Sequence, residues 1–234
     1  IVEVGIGDGG SLFMWKNFFG KNAKIIGIEL NPEAKNLEKN GFKIYNGDQS
    51  SPDFWKSFYK KIGKIDILID DGGHTNLQQI TTLVESINFI KPGGMIIIED
   101  THTSFMKNKG FKNPSKYSFI NFTLSIIEII HRRNPNLNKK LNFISKKINS
   151  IEYYDSITVI NIAKKELNKS KNLENNKKLR NYFVDYRYKR KNISKKIEKK
   201  NFSNFFSNKI SKRSYLYRIY ENSIIKKYLK LITN

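Results

Sequence analysis

Over residues 1–163, short apolar runs alternate with segments whose apolar positions recur every three or four residues. That alternation predicts a parallel sheet with helical crossovers. Ile1–Val4, Lys24–Glu29, Phe42–Tyr45, Ile65–Asp70 and Met95–Glu99 read as successive buried strands. Three helical stripes lie between them, Leu12, Trp15 and Phe19; Phe54, Phe58 and Ile62; and Leu77, Ile80, Val84 and Ile87; a fourth, Tyr117, Ile120, Leu124 and Ile127, follows the fifth strand. Asn31-Pro32-Glu33 and Ser51-Pro52-Asp53 each supply a side-chain cap, a first-turn proline and an acid, which together signal a helix start. Lys91-Pro92-Gly93-Gly94 stops the third helix. Ile148–Tyr154 and Ser156–Ile162, separated by a tight turn at Asp155, read as an antiparallel hairpin. The expected fold is a doubly wound α/β, mostly parallel seven-stranded sheet closed by that hairpin.

Beyond Lys164 the pattern loosens into a Lys/Asn-rich stretch, which sets the expected boundary between a core, 1–163, and an extension, 164–234. Charge divides at the same place. The extension carries 22 Lys and Arg against 5 Asp and Glu, and the core 21 against 16, so the basic excess belongs to the tail. Lys, Asn and Ile are enriched together throughout, so compositional drift accounts for much of this and the core is read without a nucleic-acid role. Tyr182–Arg190 and Lys209–Lys230 interleave aromatics with cations, and Tyr217, Tyr220, Ile224 and Tyr228 recur at helical spacing. A basic amphipathic helix on an anionic membrane, a helix packed on its own core and a partly disordered tail all fit that pattern; no RNA-binding signature is present. With no Cys, disulfides and thiolate chemistry are excluded. No apolar run approaches the ~20 residues of a spanning helix, and the expected location is cytoplasmic, with a peripheral membrane contact through the tail. The chain opens on Ile1 inside a strand, and the expectation is that its N-terminus is truncated.

Glu3-Val4-Gly5-Ile6-Gly7-Asp8-Gly9-Gly10 falls at the first strand-to-helix turn, where open α/β sheets bind nucleotides. Gly5, Gly7 and Gly10 also satisfy the dinucleotide pattern. The acids distinguish the two ligands. A pyrophosphate needs donors, not Asp8, whereas the sulfonium and α-ammonium groups of S-adenosylmethionine suit Glu3 and Asp8. Glu29, ending the second strand, is placed to accept from ribose hydroxyls in either case. Asp48, in Gly47-Asp48-Gln49 after the third strand, is either an acceptor for the adenine amino group or a turn residue; Gln49 beside it and Asp70 are counted with the cofactor-binding residues.

Asp70-Asp71-Gly72-Gly73-His74 follows the fourth strand and Glu99-Asp100-Thr101-His102 the fifth. With these strands adjacent and parallel, both groups reach the same carboxyl edge. Carboxylates converging there repel unless a cation neutralises them, and oxygen donors favour a hard ion such as Mg²⁺. The competing reading is that the acids merely cap loops in solvent. His102 is read as a substrate-positioning residue and His131 as structural.

These segments, with Gly9-Gly10-Ser11-Leu12-Phe13-Met14-Trp15 and Tyr153-Tyr154-Asp155-Ser156, resemble the macrolide-sugar O-methyltransferases. That family includes the mycinamicin and macrocin enzymes and relatives named cephalosporin hydroxylases. The resemblance covers 1–163 and leaves the basic tail unmatched. It implies a Rossmann-like S-adenosylmethionine-dependent core, Mg²⁺ bound by Asp71, Glu99 and Asp100, and His74 as general base. The implied reaction is methyl transfer to a hydroxyl of a sugar, in a glycan or glycosylated metabolite. Two alternatives are methylation of a small catechol-like diol, and a non-catalytic Rossmann core whose tail binds nucleic acid.

Overall fold

The computed structural model describes residues 1–107, 111, 113–131, 144, 146–165 and positions 219, 222, 225 and 226. The chain divides into two compact units, Ile1–Lys171 and Asn172–Asn234, and the first holds nearly all the described residues. The readings of Tyr182–Arg190 and of the amphipathic stripe at Tyr217–Tyr228 lie outside those residues. Among the described residues, no helix is long and apolar enough to cross a membrane.

Seven strands form one sheet in the order β3-β2-β1-β4-β5-β7-β6. They are β1 Val2–Val4, β2 Ile26–Glu29, β3 Lys43–Asn46, β4 Ile65–Asp70, β5 Ile90–Ile98, β6 Ile148–Tyr153 and β7 Thr158–Ile162. The first five run parallel, and β6 and β7 add antiparallel, as the hairpin reading anticipated. The helices are α1 Gly10–Phe19, α2 Pro52–Ile62, α3 Asn76–Ser86 and α4 Phe119–Ile130. The Asn31-Pro32-Glu33 start signal opens a 3-10 segment, Pro32–Asn40, with the Asn31 side chain accepting from the Glu33 N–H. Strand order reverses at the β1–β4 seam, the place where sheets of this kind open a ligand crevice.

Parallel strands covered on both faces carry nearly continuous apolar side chains, which is why the strands were legible. The helix faces were less so. In α2 the fully buried residues are Trp55, Phe58 and Tyr59, while Phe54 and Ile62 are only partly covered. Trp55 turns inward because its indole N–H donates to the Gln49 carbonyl at 2.8 Å. The face of α3 matches the expected one in part: Ile87 is buried and Ile80 packs against the core, but Gln79, Thr82, Leu83 and Ser86 are buried too, and Leu77 is 64% exposed. Gln79 and Thr82 turn inward because the carboxyl edge of the sheet offers them partners. Gln79 Nε2 donates to the Glu99 carbonyl, and Thr82 Oγ1 accepts from Gln49 Nε2. A buried polar group with a partner escapes most of the desolvation cost.

In α4, Phe119, Thr123 and Ile126 face inward, and Tyr117, expected on that stripe, precedes the helix and is exposed, as is Leu124. Ser118 caps the helix by accepting from the Asn121 N–H. Strand β5 starts at Ile90, five residues before the expected Met95, because Lys91-Pro92-Gly93-Gly94 is taken into the strand across an irregular pairing with β4.

Trp55 is fully buried, stacked on Tyr59 and bonded to the segment that follows β3. Trp55→Ala is expected to cost about 3–5 kcal/mol of folding stability, measured by urea unfolding followed by circular dichroism. A loss below 1 kcal/mol would show that this cluster does not hold α2 to the sheet.

Candidate functional site

The glycine turn after β1 is built by backbone conformation and close approach. Gly5, at φ 81°, packs its α-carbon against the Asp71 carbonyl and the Gly72 α-carbon, leaving no room for a Cβ. The Asp71 N–H donates to the Val4 carbonyl at 2.9 Å, so the loops after β1 and β4 are locked together. Gly7, at φ 49°, faces open space. A cavity of about 330 Å³ lies over this seam, lined by Gly5, Gly7, Glu29, Leu30, Asp48, Gln49 and Asp71 among others. That volume lies within the usual range of small-molecule sites.

Glu29 is oriented by three backbone donors: Gly7 N–H to Oε2, and Leu30 and Asn31 N–H to Oε1. Asp48 accepts from the Ser50 N–H and hydroxyl, so it holds a turn and also borders the cavity. Gln49 is 5% exposed and acts as a tie: Nε2 donates to Asp70 Oδ1 at 2.8 Å, and Oε1 accepts from the Gly73 N–H at 2.9 Å. Three of the residues expected to bind cofactor do not line the cavity. Glu3 is buried and accepts from the Ser11 hydroxyl. Asp8 is exposed on the turn. Asp70 is buried, with Oδ1 accepting from Gln49 and the Gly72 N–H, and Oδ2 has no hydrogen-bond partner among the described residues.

At the same edge, donor atoms of Asp71, His74 and Asp100 all lie within 4.8 Å of one another. His74 Nε2 is 3.4 Å from Asp100 Oδ2 and 3.9 Å from Asp71 Oδ1. Both carboxylates are nearly half exposed, and His74 is 23% exposed. Glu99 stands outside this group of three. It is nevertheless within their field: burial pushes its carboxyl up first, and Asp71, Glu3, Asp100 and Asp70 push it further. The Asp71 carboxyl is raised by burial, with Asp100 adding to the shift and His74 opposing it. Acids held near each other at this cost fit a cation, and half-exposed oxygen donors suit an ion that keeps several waters. His102 Nδ1 lies 3.8 Å from Asp100 Oδ1, also outside the group. His131 ends α4, exposed.

Two residues of the group have left-handed backbones, His74 at φ 56° and Asp100 at φ 51°. For side chains other than glycine this costs on the order of 1–3 kcal/mol each and persists only where the surroundings impose it. Thr103 touches both: its hydroxyl lies 3.0 Å from the His74 carbonyl and 2.9 Å from the Asp100 carbonyl. Neither Thr103 nor the tie at Gln49 was assigned these roles from the sequence. Their functional signal is a hydroxyl or amide next to the acidic motifs, too common a feature to single out.

No protein-family model matches the chain. It is 27% identical over 172 residues to mycinamicin VI 2''-O-methyltransferase of Micromonospora griseorubida, covering 68% of this chain and 43% of that protein. It is 32% identical over 112 residues to 8-demethyl-8-alpha-L-rhamnosyl tetracenomycin-C 2'-O-methyltransferase of Streptomyces olivaceus, covering 45% and 29%. Among solved structures, the MycE methyltransferase of mycinamycin biosynthesis, in complex with Mg and SAH, superposes with a TM-score of 0.61 at 26% identity, covering 69% of this chain and 44% of that one. The chain spans less than half the length of these relatives. Strand order and relatives together are those of class I S-adenosylmethionine-dependent methyltransferases. Within that class, the named relatives of this chain are sugar O-methyltransferases.

Burial pushes the Asp70 carboxyl up, against opposing bonds from Gln49 and Gly72. The native state then holds a proton that the unfolded chain has already released, so stability falls as pH rises through the native value. Asp70→Asn keeps an Oδ1 acceptor and removes that loss. In metal-free buffer its melting temperature relative to wild type should climb between pH 4 and pH 8, as read by differential scanning calorimetry. A difference that is flat or falls with pH would contradict a raised Asp70.

Proposed function

We propose that this chain is the catalytic core of an enzyme that transfers a methyl group from S-adenosylmethionine to a hydroxyl of a sugar, with Mg²⁺ at the acceptor edge. The observation that carries this reading is the double position of Asp71. It lines the cavity over the glycine turn and also belongs to the Asp71, His74 and Asp100 group. One residue thus marks the border where a methyl donor in the cavity and an acceptor at the acidic edge would meet. The mycinamicin and tetracenomycin relatives, named for 2''- and 2'-O-methylation, support a sugar hydroxyl as acceptor.

In this reading Gly5 and Gly7 give the cofactor backbone access, Glu29 accepts from its ribose hydroxyls, and Asp48 accepts from its adenine amino group. Glu3, Asp8 and Asp70 act from outside the cavity lining, as negative charge or as support for the loop. Asp71 and Asp100, with Glu99 close by, would hold Mg²⁺, which supplies a Lewis acid that orients a hydroxyl and lowers its pKa. His74 presents Nε2 to that edge, where it can take the hydroxyl proton as the oxygen attacks the sulfonium methyl in line and the carbon–sulfur bond breaks to leave S-adenosylhomocysteine. Fixing the two reactants in that line removes much of the entropic barrier.

Asp71→Ala is expected to lose both metal binding and turnover, because one ligand and the border residue go together. His74→Ala should bind metal and S-adenosylhomocysteine as wild type does while turnover falls ~10²-fold or more, recovering in part at high pH where solvent takes the proton. Calorimetry and methyl transfer to a panel of glycosides measure both. Full activity in EDTA, or in His74→Ala at neutral pH, would overturn the assignment.

A further inference from the structure

We infer that Thr103 is the positioning residue that sets His74 and Asp100 against each other, a role that rests on the assignment of those two residues above. Thr103 lies in the 3-10 turn Thr101–Phe105 after β5 and is 3% exposed, so it has no route to substrate or cofactor. Its hydroxyl proton is shared between the carbonyl oxygens of His74 and Asp100, at 3.0 and 2.9 Å. The Asp100 carbonyl has a second donor in the Thr103 N–H at 3.1 Å. For the His74 carbonyl the Thr103 hydroxyl is the one donor the structure shows among the described residues. The two residues it joins are the non-glycine residues whose backbones are left-handed at the site.

The hydroxyl is itself anchored. The Thr103 carbonyl accepts from Asn113 Nδ2 at 2.7 Å, Asn113 Oδ1 accepts from Asn76 Nδ2 at 3.0 Å, and Asn76 Oδ1 accepts from the Phe119 N–H at 3.1 Å. Asn76 and Phe119 are the first residues of α3 and α4. The chain of amides therefore ties the loop after β5 to the starts of two helices. One hydroxyl then transmits that rigidity to the loop after β4. Loss of the hydroxyl frees the His74 carbonyl, lets its backbone leave the left-handed region, and draws Nε2 away from Asp71 and Asp100. Outer residues that orient metal ligands typically change metal affinity or activity by about 10- to 100-fold when replaced.

The experiment compares wild type with Thr103→Val, Thr103→Cys and Thr103→Ser. Mn²⁺ serves as the metal probe, read by paramagnetic broadening of the His74 ring resonances, which are assigned by their loss in His74→Ala. S-adenosylhomocysteine binding and turnover are measured alongside. Val and Cys, the latter a weak donor of similar size, should weaken Mn²⁺ broadening at His74 and lower kcat by about 10- to 100-fold. S-adenosylhomocysteine affinity should stay within about twofold, because Thr103 lies outside the cavity lining. Ser, which restores the hydroxyl, should behave as wild type. A merely structural role would lower S-adenosylhomocysteine affinity together with Mn²⁺ affinity, and that result would overturn the inference. So would wild-type broadening and turnover in a folded Val or Cys variant, with the metal reading left standing. No Mn²⁺ effect at His74 in wild type would overturn the metal reading, and this inference with it.

Discussion

The site depends on one steric constraint: at position 5 there is room for a hydrogen and nothing larger. The α-carbon of Gly5 rests on the backbone of Asp71 and Gly72, in a left-handed conformation that side chains rarely adopt. This contact brings the loop after β1 and the loop after β4 into van der Waals contact across the seam where the sheet reverses its order. The cavity and the acidic group share a residue because of that proximity. In the function proposed above, a wider seam would separate donor and acceptor, and in-line transfer tolerates little separation.

Around that contact the sheet gathers five carboxylates: Glu3, Asp70, Asp71, Glu99 and Asp100. Burial raises the first four, and mutual repulsion adds to the shift in all of them except Asp70. Folding brings these groups together against their own electrostatics, and hydrophobic packing in the core beneath offsets the cost. The arrangement is therefore strained in the absence of positive charge. Hydrogen bonds oppose that shift at Asp70 and Glu3, and Asp71 and Asp100 remain open to an ion.

The strands and the hairpin were legible in the sequence because each rests on local rules. Parallel strands are apolar on both faces, a turn between Tyr154 and Ser156 closes a hairpin, and glycines mark the crevice. The faces of α3 and α4 were legible only in part. Gln79 and Thr82 are polar yet buried, since their partners, the Glu99 carbonyl and Gln49 Nε2, follow strands distant in sequence, and α4 is apolar on so many sides that periodicity selects no stripe. At the site, Asp71, His74 and Asp100 were read as neighbours and are neighbours. Glu99, read as a third metal ligand, lies outside the trio, since the left-handed backbone of Asp100 turns the chain between these two neighbours. Thr103 and Gln49 act through backbone groups, and backbone geometry leaves little trace in residue type.

The tie at Gln49 also limits how this sequence can drift. Its amide is used in one direction only, with the nitrogen toward Asp70 and Thr82 and the oxygen toward the Gly73 N–H. A carboxylate there would face Asp70 away from water, and an aliphatic side chain would leave Gly73 without an acceptor. A lysine would reach Asp70 but could accept nothing from Gly73. The Asn- and Lys-rich bias that spreads over the exposed surface stops at this position. Neighbouring Ser50, outside the cavity lining, has more latitude.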